Sequence, residues 1–153
     1  DEVLKNWEDI KREEKDIKTQ AQSMMNLPET LPALMKAFKV QEKAARVGFD
    51  WDNVDGAIDK VYEELDELKE VYNAGISDKI REEMGDLIFA CVNVARFLEV
   101  EPELVLRDAV RKFIRRFNYV EEMASRCDRD LQEMSLQEMD VLWEQVKNQE
   151  KKL

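Results

Sequence analysis

One feature narrows the folds open to this chain more than any other. Between Lys60 and Asp86, carboxylates recur at helical spacing, some of them on faces that ought to be apolar. Residues 60–72 read K-V-Y-E-E-L-D-E-L-K-E-V-Y. Wound at about 3.6 residues per turn, Val61, Leu65, Leu68 and Tyr72 form one stripe, the expected buried face. Glu63, Asp66 and Glu70 point away from it and are expected to be solvated, as is Glu82. Glu64 lies at the edge of the stripe beside Val71, with Glu67 one turn on and Lys60 one turn before. From Met84 to Leu98 the residues are apolar almost all round, the mark of a buried helix. Yet Glu83, Asp86 and Asn93 share one of its faces, with Lys79 a turn ahead of Glu83. Ionised carboxylates buried without partners are costly. Oxygen-only ligands in this number suit a hard divalent cation, Mg²⁺ or Mn²⁺. Glu64, Glu67, Glu83 and Asp86 are therefore the candidate metal ligands.

The totals remove several alternatives. At 153 residues the chain is long enough for one domain with its own core. Charged residues make up 39% and glycine and proline are scarce, which together with the periodicities gives an all-α fold. The formal charge of −11 argues against general nucleic-acid binding. No histidine is present, which excludes His-ligated zinc, di-iron bundles built on Glu-x-x-His, and a Ser-His-Asp triad. Cys91 and Cys127 match no metal spacing, and Cys91 is expected as a buried thiol. With neither a signal peptide nor an apolar run that could span a membrane, a reducing cytoplasm is expected. The chain begins at Asp1 without a methionine, as a piece of a longer parent would.

In chain order, residues 1–25 read as an exposed helix with Val3, Leu4, Trp7, Ile10 and Ile17 at loose intervals and i,i+4 ion pairs. A second helix starts near Pro32, with Thr30 as cap, and ends at Gly48 in a C′ position. Phe49 and Trp51 are expected to plug the end of a bundle; the sharper alternative is that one stacks on a base. The two acidic helices, from Asp55 to about Asn73 and from Ser77 (as N-cap) to an end near Leu98 to Val100, are joined by so few residues that antiparallel neighbours are implied. That brings Glu64 and Glu67 opposite Glu83 and Asp86. The next helix, from Glu101 to about Ser125, sets Lys112, Arg115, Arg116 and Tyr119 on one face and Phe113, Phe117 and Val120 on the other. The cationic face reads either as a phosphate clamp or as surface ion pairs with Glu121 and Glu122. Ser135 and Glu138 form a capping box for a last helix carrying Trp143 and Lys147 as i,i+4 neighbours.

Glu63, Glu64 and Glu67 followed by Glu83 and Asp86 resemble the metal motif of the all-α nucleoside triphosphate pyrophosphohydrolases. The flanking text is similar to the MazG branch of that superfamily: L-P-A-L-M-K-A at Leu31, Q-E-K-A-A-R-V-G-F-D-W at Gln41, E-E-M-G-D-L-I-F-A at Glu82, N-V-A-R at Asn93, K-F-I-R-R-F at Lys112 and W-E-Q-V-K at Trp143. The resemblance runs from about Leu27 to the end. It implies an antiparallel bundle of about four core helices in a C-terminal MazG-like domain over residues 27–153, with residues 1–26 as an additional linker helix. It implies a homodimer and an upstream domain in the parent chain.

The activity it implies is hydrolysis of nucleoside triphosphates to the monophosphate and pyrophosphate, dependent on Mg²⁺ (or Mn²⁺), with broad base specificity and a house-cleaning role. Glu64, Glu67, Glu83 and Asp86 hold the metal. Lys60, Glu63, Lys79, Glu82, Asn93, Lys112, Arg115, Arg116, Trp143 and Lys147 surround the substrate. Glu63 and Glu82 both stand open as general base, as does metal-activated water alone. The competing class is a non-catalytic helical interaction module, in which the same acidic face is solvated or meets a partner.

Overall fold

The structure, a computed structural model, describes residues 19–150. The expected N-terminal helix falls mostly on residues 1–18, outside the described residues. Where the described residues begin, Thr19 is extended and opens a separate short helix, α1 (Gln20–Met25), through a capping box with Gln22, so the expected helix does not run unbroken to Met25. After it come α2 (Ala33–Ala45), α3 (Val54–Ala74), α4 (Ser77–Phe97), α5 (Pro102–Arg126), a 3₁₀ turn (Leu131–Glu133) and α6 (Leu136–Glu150). No strand occurs among the described residues. The fold is all-α.

The chain forms two compact units, one up to Glu103 and the other from Leu104 onward. In the first, α3 and α4 make the most extensive pairing, α2 packs on α4, and α1 packs on α2. Asn53 starts α3 by accepting from the amides of Asp55 and Gly56, the usual work of an N-cap asparagine. In the second unit, Phe113 stacks near Phe117 and touches Trp143 of α6, at ring separations of 6.0 and 5.2 Å. The expected Ser135–Glu138 capping box is formed reciprocally, at 2.7 and 3.3 Å.

Four helices end in one hydrogen-bond pattern. The amides of Gly48, Gly75, Glu99 and Asp128 reach back three residues, and the amide after each reaches back five. This termination needs a left-handed residue at the pivot, and all four have positive φ, from 51° to 82°. Gly48 holds the expected C′ position.

Several expectations are corrected. Ile76, not Ser77, precedes α4, and no side chain caps it. Pro32, not Thr30, occupies the N-cap of α2. The helix expected to be buried all round is not. Ala90 and Val92 are buried, but Met84, Ile88, Phe89 and Leu98 are exposed, as is Cys91. Within its unit α4 packs on α2 and α3 over part of its circumference, and an apolar sequence cannot bury a face that has no neighbour. Tyr72 is likewise exposed, off the stripe that Val61, Leu65 and Leu68 half-bury. Phe49, 83% exposed, plugs nothing. Trp51 lies over Gly56, where an added Cβ would stand 3.1 Å from its ring.

Candidate metal centre

Glu64 is the one carboxylate in α3 that is buried, 5% exposed. The helix phase that half-buries Leu65 and Leu68 carries it inward, while Glu63 and Asp66 stay outside. Across the hairpin, Glu83 and Asp86 lie three residues apart on α4, on adjoining turns of one face. One oxygen from each of Glu64, Glu83 and Asp86 falls within 4.8 Å of the others. Three carboxylates gathered this closely repel one another, and a cation between them removes the repulsion.

The partners of Glu64 show how the site is poised. Its Oε1 takes the Lys60 ammonium at 2.6 Å, and the same ammonium reaches Glu63 at 2.7 Å. These contacts, to Glu63 first and Glu64 second, hold the Lys60 pKa well above the usual lysine range. Glu64 Oε2 is buried with no hydrogen-bond partner. A buried carboxylate with one oxygen unpartnered, clustered with two further carboxylates, is a donor set that suits an oxygen-ligated divalent cation. The residues present fit such an ion.

Glu67 is outside this cluster and exposed. It is nonetheless within its field: desolvation pushes its carboxyl up, and the charges of Glu64 and Glu83 push it further. Glu63, Glu82 and Lys79 are exposed, and Asp86 is more open than Glu83. Asn93 is engaged by its own helix, its Oδ1 accepting from Arg96 Nε at 3.0 Å.

Two residues without a role assigned from sequence, Arg96 and Gln41, also shape this unit. Arg96 pairs with Asp50 and lies over the Phe97 ring, tying the 48–53 loop to α4. Gln41 is buried, donates through Nε2 to the Phe89 carbonyl at 2.8 Å, and leaves Oε1 without a partner. The available signal was a polar residue on the apolar face of α2 shared with Phe38 and Ala45.

In the second unit, Arg115 and Arg116 do not pair with Glu121 or Glu122. Both grip Glu150, each guanidinium through two nitrogens. Arg116 also stands 5.9 Å from the Trp143 ring centroid. Lys147 pairs with Glu144, and Lys112 is exposed. The two arginines hold the Glu150 carboxyl below the usual carboxylate range, Arg116 contributing most.

The MazG nucleotide pyrophosphohydrolase domain matches residues 54–121, which include the whole acidic hairpin. The chain carries a MazG domain. Among similar proteins, the nucleoside triphosphate pyrophosphohydrolase of Escherichia coli strain K12 is 44% identical over 151 residues, 97% of this chain and 57% of that protein. The nucleoside triphosphate pyrophosphohydrolase/pyrophosphatase MazG of Thermotoga maritima is 42% identical over 143 residues, 94% of this chain and 54% of that protein. The uncharacterized protein YabN of Bacillus subtilis is 46% identical over 152 residues, 99% of this chain and 31% of that protein. The chain thus spans about half the length of the first two. These matches identify a MazG domain without assigning it a C-terminal position.

Proposed function

We propose that this chain hydrolyses nucleoside triphosphates to the monophosphate and pyrophosphate with the help of Mg²⁺, and accepts more than one base. The observation that carries the proposal is the buried Glu64, one of its oxygens unpartnered, clustered with Glu83 and Asp86. The names of the Escherichia coli and Thermotoga maritima relatives support the reaction class. Glu64, Glu83 and Asp86 would hold the metal, and Glu67, at the margin, would complete the set. A bound divalent cation supplies charge neutralisation along the triphosphate and Lewis-acid polarisation at phosphorus.

In the reaction a water adds at the α-phosphorus, the α–β anhydride bond breaks, and pyrophosphate departs. The exposed carboxylates Glu63 and Glu82 are the groups at hand to accept the water's proton. Lys79 offers a cation toward phosphate. Lys112, Arg115, Arg116, Trp143 and Lys147 are assigned to the substrate on the resemblance alone, as are the extent of one domain over residues 27–153 and an upstream domain in the parent chain. A cytoplasmic setting fits a nucleotide substrate. Among the described residues no helix is long and apolar enough to cross a membrane.

A homodimer is part of the proposal. Val105, Val110, Phe113 and Ile114 are exposed along α5, and Ile88 and Phe89 along α4. Exposed apolar surface of this kind marks association sites. Light scattering across a dilution series tests it.

The activity is tested by incubating the chain with ATP or a deoxynucleotide and Mg²⁺ and identifying products. AMP with pyrophosphate is the expected result. ADP with phosphate rejects the reaction, and no turnover with any triphosphate leaves the interaction module in its place.

A further inference from the structure

Resting on the reading of Glu64, Glu83 and Asp86 as a cation site, we propose that Lys60 is a positioning residue. It holds Glu64 to one-oxygen ligation and thereby biases the site toward small octahedral cations and against Ca²⁺.

The two oxygens of Glu64 have different fates. Oε1 accepts from the Lys60 ammonium at 2.6 Å, and Oε2 is the buried, unpartnered one. Lys60 is itself fixed by a second contact, to Glu63 at 2.7 Å. Glu63 is exposed and outside the cluster, so Lys60 is anchored from the solvent side while it reaches inward. A carboxylate with one oxygen committed to an ammonium presents its other oxygen in a set direction. It does not turn both oxygens to one ion without giving up that contact.

This asymmetry discriminates between cations. Mg²⁺ and ions of its kind take six ligands at about 2.1 Å in near-ideal octahedral geometry, and single oxygens serve them well. Ca²⁺ takes six to eight oxygens at about 2.3–2.6 Å and commonly recruits a bidentate carboxylate. Lys60 withholds that second oxygen. On this account the lysine acts through Glu64.

Calorimetric titration of the full chain with Mn²⁺ and with Ca²⁺, without nucleotide, tests the proposal on the wild type, Lys60→Met and Lys60→Arg. Circular dichroism of each variant establishes that the helices persist. In Lys60→Met the Ca²⁺-to-Mn²⁺ affinity ratio is expected to rise about tenfold, the lower end of what a ligand's supporting partner is worth. Lys60→Arg, which keeps a donor on Oε1, is expected to hold the wild-type ratio. If both ions bind more tightly by the same factor in Lys60→Met, Lys60 is only a competing charge and the proposal falls. It falls equally if neither affinity moves while the KM for nucleotide rises, because Lys60 is then a phosphate contact. Absence of binding of either ion to the wild type would instead reject the cation site itself.

Discussion

Arg116 donates twice to one oxygen of Glu150, from Nε at 2.8 Å and Nη2 at 2.7 Å, while Arg115 takes the other oxygen. Two of the charges that sequence spacing offers to a phosphate tail, Arg115 and Arg116, are thus already closed on a carboxylate.

That closure has a pH signature. The Glu150 carboxyl is lower in the folded chain than in an unfolded one. The pair therefore stabilises at pH above the unfolded value, and its contribution is lost as pH falls through the depressed folded value. Thermal melts of wild type and Glu150→Gln across the acid range should differ at neutral pH and converge at low pH. Glu138, lowered by the Ser135 amide and hydroxyl and by Arg129, adds to the same trend in the wild type and in the variant alike.

Breaking the cap itself gives a direct stability reading. Ser135 Oγ accepts from the Glu138 amide at the start of α6. Ser135→Ala should cost about 1 kcal/mol by urea denaturation. The loss should come from α6 and leave Mn²⁺ binding at the acidic hairpin unchanged.

The acidic residues should not respond alike. Glu64→Gln and Asp86→Asn each remove a member of the close cluster, and turnover should drop by more than the roughly 10–100-fold typical of a supporting partner. Glu67→Gln, outside the cluster, should cost less. The helical signal should persist in all three. Equal losses at the three positions would show Glu67 to be a ligand of the same standing.

Backbone strain is concentrated at two helix ends. Glu99 and Asp128 hold the left-handed conformation, at φ 56° and 51°, where Gly48 and Gly75 do the same work elsewhere. An L side chain costs roughly 1–2 kcal/mol there, less for aspartate, which hydrogen-bonds locally. Glycine's greater freedom in the unfolded chain returns part of that. Glu99→Gly should therefore stabilise by up to about 1 kcal/mol, and Asp128→Gly by less, as read from shifts in denaturation midpoint.

What could be read from the sequence was whatever is encoded locally. The antiparallel acidic hairpin follows from periodicity and a connection too short for anything else. The capping box and the glycine pivot at Gly48 follow from neighbours within five residues. Glu64 announced itself because its helical phase conflicted with its charge. The pairing of Arg115 and Arg116 with Glu150 spans 34 or 35 residues, beyond any i,i+4 rule. Gln41 could be placed on a face, but its bond to the Phe89 carbonyl depends on how α2 meets α4. The exposure of Cys91, Ile88 and Phe89 was hidden for a different reason. An apolar pattern states what a helix would bury, and whether a neighbour exists to bury it is decided by the rest of the assembly.

The link between α3 and α4 is only Gly75 and Ile76. Closing so small a loop sacrifices little chain entropy, and contacts of such low sequence separation form early in folding. The negative charges on the two arms are therefore driven together by the zippering of a single local segment, without waiting for distant parts of the chain. Folding brings mutually repelling groups face to face at an early stage, so abundant divalent ions in the surrounding medium would act as folding aids before they act in any reaction.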